Sequence, residues 1–322
     1  MRVNRADSKR GYEPLLSTAP IFRFDFSGEA HLIGTGFWIT DRGHLITAWH
    51  VIADNIGDDG VDKGPILAIQ RVADGSSVVR MLRKSDKHST IDIALSETAP
   101  YIEGEHPPTI AQVMTLEVPA MGSKVFTHAF TLGRRPESAR GFCATSFNAT
   151  LQETATGAEY DLACEAHVGS GNVVAVHPER RDAVMLPFPC FQSDVPLHPA
   201  HSGGPIFDQF GRVCGINCSS YEGVDVSFHA LVQGVLALRA RDVEFIPEDP
   251  TPRQRTILEL GLARRVLFHP PVERFLSPWW YRWALWPYQR FLDVLETIRW
   301  RLVESHRRRQ VQREDRRPPP RD

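Results

Sequence analysis

The stretch "HPAHSGGP", residues 198–205, sets a serine between a histidine and a Gly-Gly-Pro run. Gly203 and Gly204 permit a sharp turn and a close backbone approach that a side chain would block, and Pro205 stiffens the exit. Such a loop is either a plain turn or the presentation of a nucleophile at Ser202. The rest of the chain separates the two readings, because a serine hydroxyl is a poor nucleophile at neutral pH. It needs a histidine within hydrogen-bond reach to take its proton, and a carboxylate to fix that histidine's tautomer. "LITAWHV" (45–51) ends an expected strand with His50, and "STIDIALSE" (89–97) opens another with Asp92. Asp86 competes with Asp92, but it sits in the polar run "RKSDKHST" (83–90), without a following strand to fix it. The order His50, Asp92, Ser202, with wide gaps, lets a base and an acid from the first half meet a nucleophile from the second in a cleft.

The chain has 322 residues, 42% of them hydrophobic. That is enough to bury a full core as one large domain or two. The amino terminus lacks an apolar run that would serve as a signal-peptide core, and no stretch of about 18 uncharged apolar residues occurs. A cytoplasmic location is therefore expected. Cys143, Cys164, Cys190, Cys214 and Cys218 form an odd set without a C-x-x-C pair. Reduced, mostly buried thiols fit that set better than a disulfide framework.

Up to about residue 240 the chain reads as short β-type runs broken by Gly, Asp and Pro, a spacing that suits an antiparallel sandwich or barrel. In "GTGFWITDRGHLITAWHVI" (34–52), Phe37 to Thr40 reads as a strand, Asp41-Arg42-Gly43 as a tight connection and Leu45 to Thr47 as the returning strand. Further strands are expected at 66–72, 76–83, 92–97, 124–130, 147–154, 160–166, 172–177, 211–219 and 226–232. After residue 240 the period lengthens. Thr251 is an expected N-cap with Pro252 at the first helical position, and apolar residues follow at helical spacing until "HPP" (269–271). A second helix is expected from Tyr288, where Tyr288, Phe291, Leu292, Leu295, Ile298 and Leu302 share one face. From Trp279 to the end there are eleven Arg against six Asp plus Glu, so residues 1–278 carry −7 within a whole-chain charge of −2. Five of the seven Trp also lie there.

Taken together, "GTGFWIT", "HLITAWHV", "DIALS" and "HSGGPIFDQFGRVCGIN" resemble the signature blocks of trypsin-like (chymotrypsin-fold) serine peptidases, in particular the bacterial, disulfide-free branch that includes the HtrA-type proteases. The resemblance spans about residues 20 to 236. It implies a mainly β protein of two six-stranded antiparallel β-barrels, with a C-terminal α-helical extension beyond them. His50 and Asp92 would come from the first barrel and Ser202 from the second. The implied organisation is an N-terminal segment (1–19), a peptidase domain (20–240), a linker with one helix (241–275) and an aromatic, basic helical tail with a disordered end (276–322). "GRVCGINCSS" (211–220) would line the specificity pocket and pair with substrate backbone, which makes Cys218, Ser219 and Ser220 the expected substrate-binding residues.

The same resemblance assigns the backbone N–H groups of Ala200 and Ser202 to an oxyanion hole, each donor contributing roughly 3 kcal/mol in comparable sites. The family usually has glycine where this chain has Ala200. A left-handed backbone costs alanine ~1 kcal/mol, so the hole is strained, collapsed at rest, or completed only on substrate binding. His201 stands where secreted, zymogen-activated relatives carry an aspartate, which argues against that activation route. Val51 replaces the cysteine that follows the catalytic histidine in those relatives. An acid for cleavage after Lys or Arg would fall at Pro196, with Asp194 two residues away, so no cleavage residue is assigned. His198 and His201 lack an accompanying carboxylate or cysteine cluster and are read as loop histidines, so no metal is expected and no cofactor either. The tail composition suits a helix at a membrane interface, a partner-docking helix that serves activation, or packing onto the peptidase domain; nucleic acid is not expected. Two functions follow. One is a serine endopeptidase acting on protein or peptide through an acyl-enzyme, latent until a partner activates it or active at once. The other is a peptide-binding module whose hole is lost at Ala200.

Overall fold

The computed structural model describes residues 14–25, 29–56, 63–100, 106–132, 143–152, 159–221, 225–240 and 254–276. Six strands form the first barrel: β1 (Thr18–Phe24), β2 (Ala30–Trp38), β3 (His44–Thr47), β4 (Ile66–Arg71), β5 (Ser77–Lys87) and β6 (Ala94–Pro100). They close in the order β1-β2-β3-β6-β5-β4. The β2–β3 hairpin has the expected register, Phe37 facing Ile46 and Trp38 facing Leu45. Gly43 takes φ +85° at its turn. Inside lies a cluster of Ala19, Ile21, Trp38, Leu45, Ala48, Val51 and Ala68.

The second barrel uses β7 (Lys124–Thr131), β8 (Cys143–Gln152), β9 (Glu159–His177), β10 (Cys190–Ser193), β11 (Pro205–Asp208), β12 (Val213–Ser220) and β13 (Ser227–Leu231). Its ring runs β10-β13-β12-β11-β7-β9 and closes where β9 also pairs with β10, while β8 is attached outside the ring along β9. Both barrels are thus six-stranded and antiparallel, as the resemblance implied. Phe22, Phe24, Leu32, Leu67 and Ile69 of the first barrel share one buried cluster with Phe130, Leu162, Cys164 and Ala166 of the second, and Ala200 packs against it. At roughly 1.5–3 kcal/mol per large apolar side chain removed from water, this seam holds the barrels together.

Three departures stand out. β1, absent from the expected strands, begins at Thr18 and includes Pro20. Pro20 is tolerated because β4 pairs with β1 only from Ile21 onward. The strands expected at 160–166 and 172–177 are one 19-residue strand, β9. Gly169 and Gly171 between them serve close approach: a Cβ on Gly171 would lie 2.3 Å from Asp194 Oδ1 and 2.8 Å from the Val195 nitrogen. Third, the helix after residue 240 starts later and ends sooner than expected.

Thr251 and Pro252 lie outside the described residues. Arg255–Thr256 is a short strand, β15, paired with β14 (Arg239–Ala240), and the helix runs only over Ile257–Leu262. Thr256 caps it in a capping box: Glu259 N–H donates to Thr256 Oγ1 at 3.2 Å, and Thr256 N–H donates to Glu259 Oε2 at 2.7 Å. The helix stops where Arg264 adopts φ +58°.

The chain divides into two units, 1–272 and 273–322. Of the second, the described part is one helical turn, Glu273–Leu276. The helix expected from Tyr288 and nearly all of the tail lie outside the described residues. Among the described residues no helix is long and apolar enough to cross a membrane.

Candidate active site

The residues expected as base and acid both come from the first barrel. β3 ends at Thr47, and the chain turns into a short helix, α1 (Trp49–Ala53), that carries His50. Asp92 lies just before β6. Its carboxylate makes two bonds to the same residue: His50 Nδ1 lies 2.6 Å from Asp92 Oδ2, and the His50 N–H donates to Asp92 Oδ1 at 2.9 Å. The competitor Asp86 is engaged elsewhere, accepting from the Arg239 N–H at 2.7 Å. Burial pushes the His50 pKa down, but the hydrogen bond and charge of Asp92, with a further contribution from Asp54, outweigh it and leave it above the ordinary histidine value. Nε2 is thereby left as the basic nitrogen.

The nucleophile loop comes from the second barrel and is fastened to the first. Thr35 N–H donates to the Ser202 carbonyl at 2.9 Å, and Thr35 Oγ1 donates to the Ala200 carbonyl at 2.8 Å. Gly203 N–H donates to the Asn217 carbonyl at 2.7 Å. Gly203 has φ +81°, and a Cβ there would sit 2.0 Å from Thr47 Oγ1 and 2.4 Å from the Thr35 carbonyl oxygen, so only glycine fits. Gly34 is constrained likewise, since its Cβ would strike Val51 and approach the Ser202 carbonyl oxygen to 3.2 Å. Val51 follows His50 directly, so the Ser202 backbone and the histidine helix meet across Gly34. Among the described residues the Ser202 hydroxyl makes no hydrogen bond, to His50 or to any other group.

Ala200 answers the question raised by its missing glycine. Its φ is +69°, in the left-handed region, and it closes a turn in which His201 N–H donates to the His198 carbonyl at 3.0 Å. Ala200 therefore carries the left-handed strain expected of an alanine at this position. The N–H groups of His201, Gly203 and Gly204 all find backbone acceptors. Those of Ala200 and Ser202 have no hydrogen-bond partner among the described residues, and both residues are half-buried. Two unengaged donors beside a serine form an arrangement suited to receiving an oxyanion.

Of the expected substrate-binding residues, Cys218 is buried, with its thiol 3.7 Å from the Asp92 carbonyl oxygen and 3.4 Å from that of Ile216. Its side chain therefore supports the segment carrying Asp92 rather than facing a peptide. Ser219 is half-buried and Ser220 exposed. β11 pairs with β12 only as far as Ile216, whereas β13 pairs through Ser220, so among the described strands the Ser219–Ser220 edge opposite β13 is unpaired.

Pro196 is half-buried, and Asp194 accepts a bond from the Asn172 N–H. Behind the wall lies a buried polar network that the sequence did not reveal. His229 Nδ1 is 2.9 Å from Asn217 Oδ1, His229 Nε2 is 2.7 Å from Ser193 Oγ and 3.1 Å from Ser227 Oγ, and Asn217 Nδ2 donates to Thr127 Oγ1 at 2.8 Å. Burial holds the His229 pKa down at about 3. Where β1 meets β2, half-buried Asp25 and His31 and exposed Glu29 each bring a ligand atom within 4.8 Å of the others.

This combination of double barrel and loop defines a class. Residues 34–216 match the trypsin-like peptidase domain family, and the chain belongs to it. It is 28% identical over 199 residues to the probable periplasmic serine endoprotease DegP-like of Pseudomonas fluorescens, a match covering 62% of this chain and 32% of that protein. A protein of the same name from Ectopseudomonas mendocina is 28% identical over 196 residues, covering 59% and 30%. The match thus spans about a third of the length of these curated relatives. Among solved structures, the HtrA-type protease AlgW with tripeptide aligns at 19% identity and a TM-score of 0.43, covering 68% of this chain and 57% of that one. Deg5 aligns at 17% and 0.43, covering 68% and 85%.

The relatives' names overturn the expected cytoplasmic location, since both are periplasmic. The thiols do not require a reducing compartment. Cys164, Cys190, Cys214 and Cys218 are free and buried, and burial raises the Cys190 and Cys164 pKa values to about 11 and about 12. Thiols so protected persist in an oxidising compartment because little thiolate forms.

Proposed function

We propose that the chain is a serine endopeptidase that hydrolyses peptide bonds through an acyl-enzyme, with residues 20–240 as its catalytic domain. Ser202 attacks the scissile carbonyl. His50 Nε2 takes its proton and returns it to the leaving amine, while Asp92 holds His50 through Nδ1 and stabilises the imidazolium. The Ala200 and Ser202 N–H groups receive the oxyanion, and water then repeats the sequence to release the acyl group. The substrate strand lies along the free Ser219–Ser220 edge. The observation that carries this reading is the pair of unengaged donors at Ala200 and Ser202 next to a doubly bonded His50–Asp92 pair. The Ser202–His50 bond is made when substrate closes over the serine, as is common in enzymes free of ligand.

The alternative is a binding module whose hole is lost at Ala200; the left-handed backbone of Ala200 supports the peptidase reading over it. A periplasmic site of action, carried over from the named relatives, belongs to the same reading. Activation by a partner or a membrane surface through residues 276–322 is a separate proposal, tested by co-sedimentation of the full chain with anionic vesicles.

The test of the catalytic reading is labelling of the purified protein by a fluorophosphonate. Labelling that disappears in both Ser202→Ala and His50→Ala supports it. A folded wild-type protein that stays unlabelled, and stays so as Ala200→Gly, overturns it.

A further inference from the structure

The loop that carries Ser202 has a second closure that the mechanism above does not use. The turn His198–Pro199–Ala200–His201 is held by its backbone bond, and also by the His201 side chain, whose Nδ1 accepts the His198 N–H at 3.2 Å. His201 is fully buried. Its carbonyl accepts from Gly204 N–H at 3.1 Å and from Asn217 Nδ2 at 3.3 Å, so both ends of the residue are fixed. We infer that His201 is a positioning residue: its neutral imidazole clamps the turn that keeps Ala200 left-handed, and so performs the task that glycine's conformational freedom performs elsewhere in the family.

The physical case begins with cost. A left-handed alanine is strained, so the loop relaxes unless its surroundings over-determine it. A hydrogen bond from the His198 N–H to a fixed, buried acceptor opposes that relaxation. The clamp works only while Nδ1 is an acceptor, which requires the neutral Nε2–H tautomer. The setting keeps the ring neutral, with Nε2 buried and without a hydrogen-bond partner among the described residues. His201 lies against two other imidazoles, His198 on its own loop at a ring separation of 5.1 Å and His167 on β9 at 5.9 Å, and His128 on β7 acts on it electrostatically. Glu165 on β9 faces His167 at 3.4 Å. Burial, followed by the charges these histidines would carry, holds the His201 pKa well below its ordinary value. An aspartate or a protonated histidine at this place would not supply the same neutral acceptor.

The inference rests on the peptidase reading, and the experiment keeps the two apart by comparing four forms of the full chain on one peptide substrate: wild type, His201→Leu, His201→Asn, and His201→Leu combined with Ala200→Gly. His201→Leu is expected to lower kcat by about 100-fold, the loss typical of one oxyanion donor, with KM changed less than about threefold. His201→Asn, whose Oδ1 can accept the same N–H, is expected to recover at least about tenfold of that loss. Adding Ala200→Gly to His201→Leu is expected to do the same, because glycine needs no clamp. A His201→Leu protein with wild-type kcat, or a loss that neither Asn nor the added glycine relieves while the proteins melt within a few degrees of wild type, overturns the inference. If His201→Leu does not fold, the outcome turns on wild type against His201→Asn and His201→Phe. Equal kcat in those two means the acceptor is irrelevant. A folded wild type that is inactive on the peptide and unlabelled by a fluorophosphonate, with Ala200→Gly unlabelled as well, overturns the peptidase reading instead.

Discussion

The two halves of the site reach their geometry by opposite routes. On the first barrel, His50 and Asp92 are joined by two short hydrogen bonds, one to the ring and one to the backbone, and the pair is ready before any substrate arrives. On the second, the Ser202 hydroxyl makes no hydrogen bond among the described residues, in a loop that contains an alanine in glycine's conformation. The difference teaches where this chain departs from its family. His50 and Asp92 are held by direct bonds to each other, whereas the Ser202 loop holds a left-handed alanine and is fastened by bonds from Thr35 on the first barrel.

Breaking the first half gives the largest expected effect. Asp92→Asn keeps the shape but supplies a donor where His50 Nδ1–H needs an acceptor, so kcat is expected to fall by about 10⁴-fold. The pH profile reports the same pair. Acylation requires neutral His50 and its folded pKa is raised, so kcat/KM of the wild type is expected to fall tenfold per pH unit below an apparent pKa above 6.5. A wild-type acid limb lying below 6.5 would mean that Asp92 does not govern His50.

The second barrel is the better target for acid. Burial lowers the His229 pKa to about 3 and the His128 pKa to about 4, so each is neutral in the folded state while its unfolded counterpart binds a proton below 6.5. Their contribution to stability is therefore fully present above pH 6.5 and is lost as the pH falls toward those values. Urea unfolding is expected to weaken by up to about 1.4 kcal/mol per pH unit for each histidine in that window, and His229→Gln to flatten the slope. A slope unchanged in that variant would place the acid sensitivity elsewhere.

The smallest effect belongs to Ala200→Gly. Relief of roughly 1–2 kcal/mol of left-handed strain is partly offset by the 0.5–1 kcal/mol or so that glycine loses in chain entropy, leaving a gain of about 0.5 kcal/mol. A destabilised variant would show that the strain is not real.

The first half was also the more legible in sequence. "GTGFWITDRGHLITAWHVI" carries its hairpin and its histidine in one continuous, alternating pattern, and the observed register agrees with it. Distant pairings were harder to read. Pro20 hid β1, because nothing local shows that β4 stops short of it. Gly169 and Gly171 looked like a break, because their need for space comes from Val195 and Asp194, more than twenty residues away. The capping box Thr256–Glu259 was local and readable, yet Thr251-Pro252 offered a competing start. At the site, Ser202, His50 and Asp92 were visible as residue types in order. The conformation of Ala200 and the Thr35 bonds that hold the loop depend on the second barrel docking against the first, which no local pattern encodes.

That docking bears on how the protein is made. The Thr35 bonds to Ser202 and Ala200 join residues more than 160 positions apart, and the loop also leans on Asn217, beyond the serine. The first barrel alone contains His50 and Asp92 but none of the partners that shape the Ser202 loop from the second. Under the proposed function, a chain truncated before Asn217 is expected to show no labelling by a fluorophosphonate.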